Sequence, residues 1–146
     1  MSYRAVRLLT ASVLVAALAF AVRGDAAAAE PEHKMTTVYL VLLKKGPAWT
    51  PEVTDATKAL QQAHIANIVR LWTEHKMVVA GPTDDPTNTL RGIFVFEAAS
   101  IDEAKALTAS DPAIKAGRLV ADIYPWWVEK GALPDAGSYC APAVGK

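Results

Sequence analysis

Cysteine is nearly absent from this chain: Cys140 is the only one, so no internal disulfide can form. Histidine is also sparse, with three in 146 residues. No spacing of Cys and His matches a metal cluster, no glycine-rich loop is built to cradle phosphate, and no nucleophile elbow is present. Net charge is missing as well, with 15 basic and 15 acidic side chains. Nothing electrostatic therefore favours a nucleic acid or an anionic membrane surface as partner. Long apolar runs are missing except near the start, where Leu8 to Val22 is too short for a comfortable membrane span of about 20 residues.

That run has other marks. Arg4 and Arg7 precede it, and Ala26-Ala27-Ala28-Ala29 follows it with the small residues a signal peptidase accepts. Residues 1–29 are read as a signal peptide, with an uncleaved anchor as the bland alternative. Removal of Arg4, Arg7, Arg23 and Asp25 takes the basic count from 15 to 12 and the acidic count from 15 to 14. The expected setting is the periplasm or outside of a bacterium, with no membrane contact after cleavage. Residues 30–130 make one domain of ordinary size. The stretch 131–146, which includes Cys140, has the composition of a flexible extension.

Within the domain, the organising stretch runs from Glu52 to Lys76. Thr50 is a sensible cap with Pro51 in the first helical position. Leu60, His64, Ile68 (or Asn67), Leu71 and His75 recur at three- and four-residue steps, with Ala56, Ala63 and Val69 widening the face. His64 thus lies in line with core residues. A packed, hydrogen-bonded core histidine is the ordinary explanation, and a titratable group at a pocket edge the functional one. His64 and His75 share a face but stand roughly 16 Å apart along the axis, too far for one small ion.

The remaining pattern alternates strands and helices. Thr36 to Leu43 is a strand apolar on both parities, which predicts cover on both faces. Met77 to Ala80 is a short strand stopped by Gly81-Pro82. Asp84-Asp85-Pro86 and Asn88 mark a turn capped by aspartate. Arg91 to Glu97 is a strand, Ser100 with Glu103 predicts a capping box at the start of a second helix, and Ser110-Asp111-Pro112 breaks that helix. A helical turn then reaches Gly117, and Leu119 to Tyr124 closes the domain ahead of Pro125-Trp126-Trp127. The order is that of a ferredoxin-like α+β fold, βαββαβ, with a four-stranded antiparallel sheet and two helices on one face. The uncovered apolar face predicts a homodimer with sheets packed together. Trp126 and Trp127 suit a dimer or core role better than a ligand platform.

Between Thr36 and Glu129 the chain resembles the YCII-related (YciI-like) family. The resemblance is carried by the opening strand, His64 midway along the first helix, Val79-Ala80-Gly81-Pro82, Ser100 with Glu103-Ala104, Asp111-Pro112 with Gly117, and Ile123-Tyr124-Pro125-Trp126. It departs at Glu74-His75-Lys76, where relatives tend to carry a glycine. The resemblance implies a dimeric α+β barrel related to muconolactone isomerase-like proteins, with His64 and Asp111 as an active-site pair. A carboxylate on one imidazole nitrogen fixes the tautomer and leaves the other to take a proton. Some relatives are linked to dehydrochlorination of chlorinated aromatic intermediates. Asp111 also suits an ordinary cap of the turn after a helix. Gly81 and Pro82 shape the strand exit and offer backbone for a substrate pocket.

Two functions follow. One is a small enzyme without cofactor or metal, a lyase or isomerase acting on a small ring or acidic metabolite through His64 and Asp111. The other is an exported binding or accessory dimer that holds a small-molecule ligand without chemistry.

Overall fold

The computed structural model describes residues 33–138. The signal-peptide reading of residues 1–29 and the question of Cys140 lie outside them. In chain order the elements are β1 (Met35–Lys45), α1 (Asp55–Thr73), β2 (Met77–Pro82), β3 (Leu90–Phe96), α2 (Ile101–Ala109), α3 (Pro112–Lys115) and β4 (Leu119–Glu129). The strands form one sheet in the order β2-β3-β1-β4, and each neighbouring pair is antiparallel. This is the expected α+β sheet, and the helical turn expected before Gly117 is α3.

One face of the sheet meets the helices. Tyr39, Val41 and Leu43 of β1, Met77 of β2 and Phe94 and Phe96 of β3 pack with Ile68 and Leu71 of α1 and Ala104 of α2. Phe94, Phe96, Leu71 and Met77 are each at most 1% exposed. Burial of a side chain of this size contributes about 1.5–3 kcal/mol, so these four outweigh any surface ion pair in the molecule. On the other face Val38, Val78, Val95 and Val128 cluster with Ala136, and Leu40, Val79 and Leu133 pack against them. The chain beyond β4 thus lies on one end of this face. The Gly137 N–H donates to the Met77 carbonyl at 3.0 Å.

Several boundaries differ from the sequence reading. Helix α1 starts at Asp55 rather than at Pro51. Thr54 is its cap: the Thr54 hydroxyl accepts from the Thr57 N–H at 3.2 Å, and the Thr57 hydroxyl accepts from the Thr54 N–H at 2.9 Å. This reciprocal pair satisfies two end donors, which a proline at the first position cannot do. Ala56 is consequently exposed in the first turn. The helix also ends earlier, and His75 lies beyond it in a left-handed conformation, φ 54°. That is the backbone a glycine supplies most easily. The His75 ring Nδ1 lies 3.0 Å from the Ala136 carbonyl oxygen, tying the turn to the segment after β4.

Ser100 caps α2 as expected, its hydroxyl accepting from the Glu103 N–H at 3.1 Å, but the Glu103 side chain does not reach back to the cap. Its carboxylate accepts from the Ala99 N–H at 2.7 Å and from Lys76 Nζ at 2.7 Å. The Lys76 contact holds the Glu103 carboxyl below its ordinary range. Strand β4 runs through Pro125 to Glu129, beyond the Tyr124 end read from the sequence. It is an edge strand, where a residue without an N–H is tolerated. Strand β2 likewise includes Gly81 and Pro82 at the opposite edge. Asp85 organises the β2–β3 turn by accepting the N–H groups of Thr87, Thr89 and Leu90.

Candidate functional site

His64 is at the centre of α1, one turn before Ile68 and two before Leu71, so the helix aims it at the sheet. Its ring stacks on Phe94 at 5.8 Å between centroids and 26° between planes. Asp111 comes from a distant part of the chain, 47 residues on, at the start of α3. The two meet: His64 Nδ1 lies 2.8 Å from Asp111 Oδ2. The carboxylate is 0% exposed, and the imidazole side chain 10%.

Asp111 performs two tasks with its two oxygens. Oδ1 accepts the Ala113 N–H at 2.8 Å and caps α3, as the turn chemistry of Ser-Asp-Pro requires. Oδ2 faces His64. Because a carboxylate only accepts, the imidazole must donate from Nδ1. Nε2 is then the nitrogen left for whatever enters the cavity beside it.

A third residue completes the arrangement. Asn67 Nδ2 donates to Asp111 Oδ2 at 3.5 Å, and its Oδ1 accepts from Arg70 Nη2 at 2.9 Å. Arg70 in turn donates from Nη1 to Glu74 at 2.6–2.7 Å and from Nη2 to Ser110 at 3.1 Å. The buried carboxylate is thus held by a chain of donors leading to the surface, as a buried charge requires. The sequence named Asn67 only as an alternate core position. A polar residue one step from His64's stripe, on the face toward a buried acid, was the signal available.

A cavity of about 510 Å³ opens beside His64. Leu43, Ile68, Phe94 and Trp72 supply apolar walls, and Gly81 and Pro82 of β2 line it as the sequence proposed. Ala113 brings α3 to its edge, and Trp49, Arg91 and Arg118 also line it. The structure therefore brings all four sequence-nominated residues to one place, with Asp111 in the wall behind His64. Sequence reading missed the Trp49 loop and the two arginines.

The Trp49 loop is fixed by backbone contacts. Gly46 N–H donates to the Arg118 carbonyl at 2.9 Å, and Ala48 N–H to the Gly117 carbonyl at 3.0 Å. A Cβ on Gly46 would sit 2.2 Å from the Gly117 oxygen, so only glycine permits this approach. Arg118 adds a bond from Nη2 to the Thr50 carbonyl at 2.9 Å.

Among the described residues, no group of three or more His, Cys, Asp or Glu side chains could hold a metal ion, and no helix is long and apolar enough to cross a membrane.

Comparison with known proteins places this arrangement in context. The chain is 30% identical over 82 residues to the uncharacterized protein YjpA of Bacillus subtilis (strain 168), covering 53% of this chain and 93% of that one. Among solved structures it is similar to 5-chloro-2-hydroxyhydroquinone dehydrochlorinase (TftG) from Burkholderia phenoliruptrix AC1100, in complex with 2,5-dihydroxybenzoquinone. That likeness has 25% identity and a TM-score of 0.46, covering 61% of this chain and 92% of the other. The sequence pattern of the YCII-related domain matches residues 37–127, from the third residue of β1 to within two residues of the end of β4. The chain belongs to the YCII-related domain family.

Proposed function

We propose that this protein is an exported, homodimeric enzyme that moves a proton on a small ring compound or acidic metabolite, as a lyase or isomerase needing no cofactor. The observation that carries the reading is the 2.8 Å contact between His64 and a fully buried Asp111, at the wall of a 510 Å³ cavity. Packing alone does not call for a carboxylate behind an imidazole, since burying both is costly unless each is bonded.

The chemistry follows from the tautomer. With Nδ1–H given to Asp111, the Nε2 lone pair takes a proton from carbon next to a carbonyl. The ring becomes imidazolium, stabilised by the carboxylate behind it, and the substrate becomes an enolate. Return of the proton to another carbon completes an isomerisation. Departure of a leaving group from the neighbouring carbon, with the electron pair, completes an elimination. Apolar walls of Leu43, Ile68 and Phe94 strengthen these charges by excluding water. Gly81 and Pro82 would border the bound ring.

The test is exchange in D₂O. Cyclic ketones, substituted hydroquinones and keto acids are incubated with the protein, and loss of the α-proton is followed by ¹H NMR. Exchange that disappears in His64→Ala, with the fold retained by circular dichroism, supports the reading. Absence of exchange throughout, together with a ligand-dependent rise in melting temperature, replaces it with the binding-protein reading.

The homodimer is supported by the apolar residues of the helix-free face, where Tyr124, opposite Leu40, is 48% exposed and Trp126, opposite Val38, 41%. Light scattering should give twice the monomer mass, and Trp126→Glu should halve it. Export is supported by the basic, apolar and alanine-rich succession in residues 1–29. Fractionation of cells expressing the full sequence tests it directly.

A further inference from the structure

The mouth of the cavity carries positive charge that no described carboxylate neutralises. Arg91 and Arg118 both line the cavity, and both have their guanidinium carbons near the Trp49 ring, at 5.9 and 5.8 Å from its centroid. Lys45 Nζ lies on the same ring at 3.8 Å. Several cations elsewhere have carboxylate partners: Lys44 with Asp122, Arg70 with Glu74, Lys76 with Glu103, Lys105 with Asp102. Arg91, Arg118 and Lys45 form no ion pair with a described carboxylate.

What holds the two arginines instead is neutral. Arg91 Nη1 donates to the Asn88 side-chain oxygen at 2.7 Å, and Arg118 donates to the Thr50 carbonyl at 2.9 Å. Such bonds orient a guanidinium without cancelling its charge, and each guanidinium has five N–H donors, enough to serve a ligand as well. Three like charges around one indole repel one another, and an anion among them relieves that repulsion. The same cavity is otherwise lined largely by apolar side chains, with His64 among them.

We infer that Arg91, Arg118 and Trp49 form an acid-group subsite, and that the ligand is a flat ring bearing a carboxylate. The carboxylate lies between the two guanidiniums, which match it in a planar, two-point fashion. The ring lies along Trp49 and points its reactive carbon inward to Nε2 of His64. Lys45, packed on Trp49, adds field without lining the cavity. This inference rests on the reading of the cavity as a site for small ring compounds, and it narrows the choice between neutral rings and acids to the acids.

The experiment uses a matched pair, 4-hydroxybenzoate and 4-hydroxybenzamide, which differ in charge and hardly in shape. Calorimetric titration of the wild-type protein should give at least about tenfold tighter binding of the benzoate, weakening as salt is raised. Loss of one charge-assisted contact in Arg91→Gln or Arg118→Gln should cost the benzoate about 10- to 100-fold and leave the benzamide within about threefold. Arg118→Lys should restore part of the preference, which separates charge from the structural bond to Thr50. The Trp49 indole N–H signal should shift on titration in wild type.

Equal binding of the two probes, no benzoate binding at millimolar concentration, or an unchanged preference in both glutamine variants overturns the inference. The D₂O exchange experiment then still stands, because it reads His64. Conversely, a benzoate preference that survives in His64→Ala while exchange is absent from wild type keeps the acid subsite and removes the enzyme.

Discussion

Replacement of Asp111 by asparagine changes one atom and should reverse the imidazole beside it. The asparagine can keep the Ala113 bond through its own Oδ1, since the aspartate oxygen there accepts at 2.8 Å in wild type. The other terminus then becomes an NH₂ group facing His64 Nδ1 and the Asn67 amide, where donors meet donors. The ring answers by moving its proton to Nε2, so that Nδ1 accepts and the nitrogen facing the cavity becomes a donor. A bond to a charged acceptor, worth about 1.5–3 kcal/mol, is exchanged for a neutral one. Against a urea dependence of roughly 1.5–2 kcal/mol per molar, the midpoint should fall by about 1 M. Truncation to alanine removes the cap as well and strands two donors, so Asp111→Ala should lose about 3–5 kcal/mol. The assay is a double-mutant cycle with His64→Ala in urea, joined to ¹⁵N long-range NMR of the ring at a pH where it is neutral. A coupling of about 1.5–3 kcal/mol and protonated Nδ1 in wild type are expected. Coupling below about 0.5 kcal/mol, or a wild-type ring protonated at Nε2 alone, refutes the orientation on which the chemistry depends.

Asn67→Asp places a second carboxylate against Asp111 in a buried setting, which raises the affinity of that pair for a proton. Its melting temperature should drop at neutral pH and recover toward wild type as pH falls, the folded form then binding more protons than the unfolded. Asp85 behaves in the opposite sense. Backbone N–H groups, Leu90 first, hold its carboxyl well below the ordinary range, so its contribution is present at neutral pH and lost on acidification. Asp85→Asn should therefore lower the melting temperature at pH 7 and converge with wild type in strong acid. Gly46→Ala drives a methyl into the Gly117 carbonyl; a loss of about 1–3 kcal/mol in urea and a displaced Trp49 indole signal are expected. At position 75, glycine should be more stable than alanine by about 1 kcal/mol, since both lose the Ala136 bond and only alanine keeps the left-handed strain.

How much was legible depends on whether a feature is written locally. Helix α1 was readable because apolar residues recur at its three- and four-residue steps, the strands because they are short apolar runs bounded by turn residues, and the βαββαβ order follows from that succession. The meeting of His64 with Asp111 was not written in any spacing, 47 residues apart, and came only through the family resemblance. Cap choice was misread because Pro51 and Thr54 offer rival starts, and the second satisfies more donors. The length of β4 was misread because proline argues against a strand until the sheet order makes that strand an edge. The arginines at the cavity mouth were invisible for a different reason. Arg91 and Arg118 are far apart in the chain with unremarkable neighbours, and only the Gly46–Gly117 approach brings Trp49 to both.

Asp111 serves the turn with one oxygen and the ring with the other. On the proposed chemistry, a descendant that gave up catalysis would still need the acid to start α3, whereas any side chain of similar bulk could fill the place of the imidazole. Among members of the family, then, it is replacement of the residue at position 64, with position 111 kept, that should mark a site retired from chemistry.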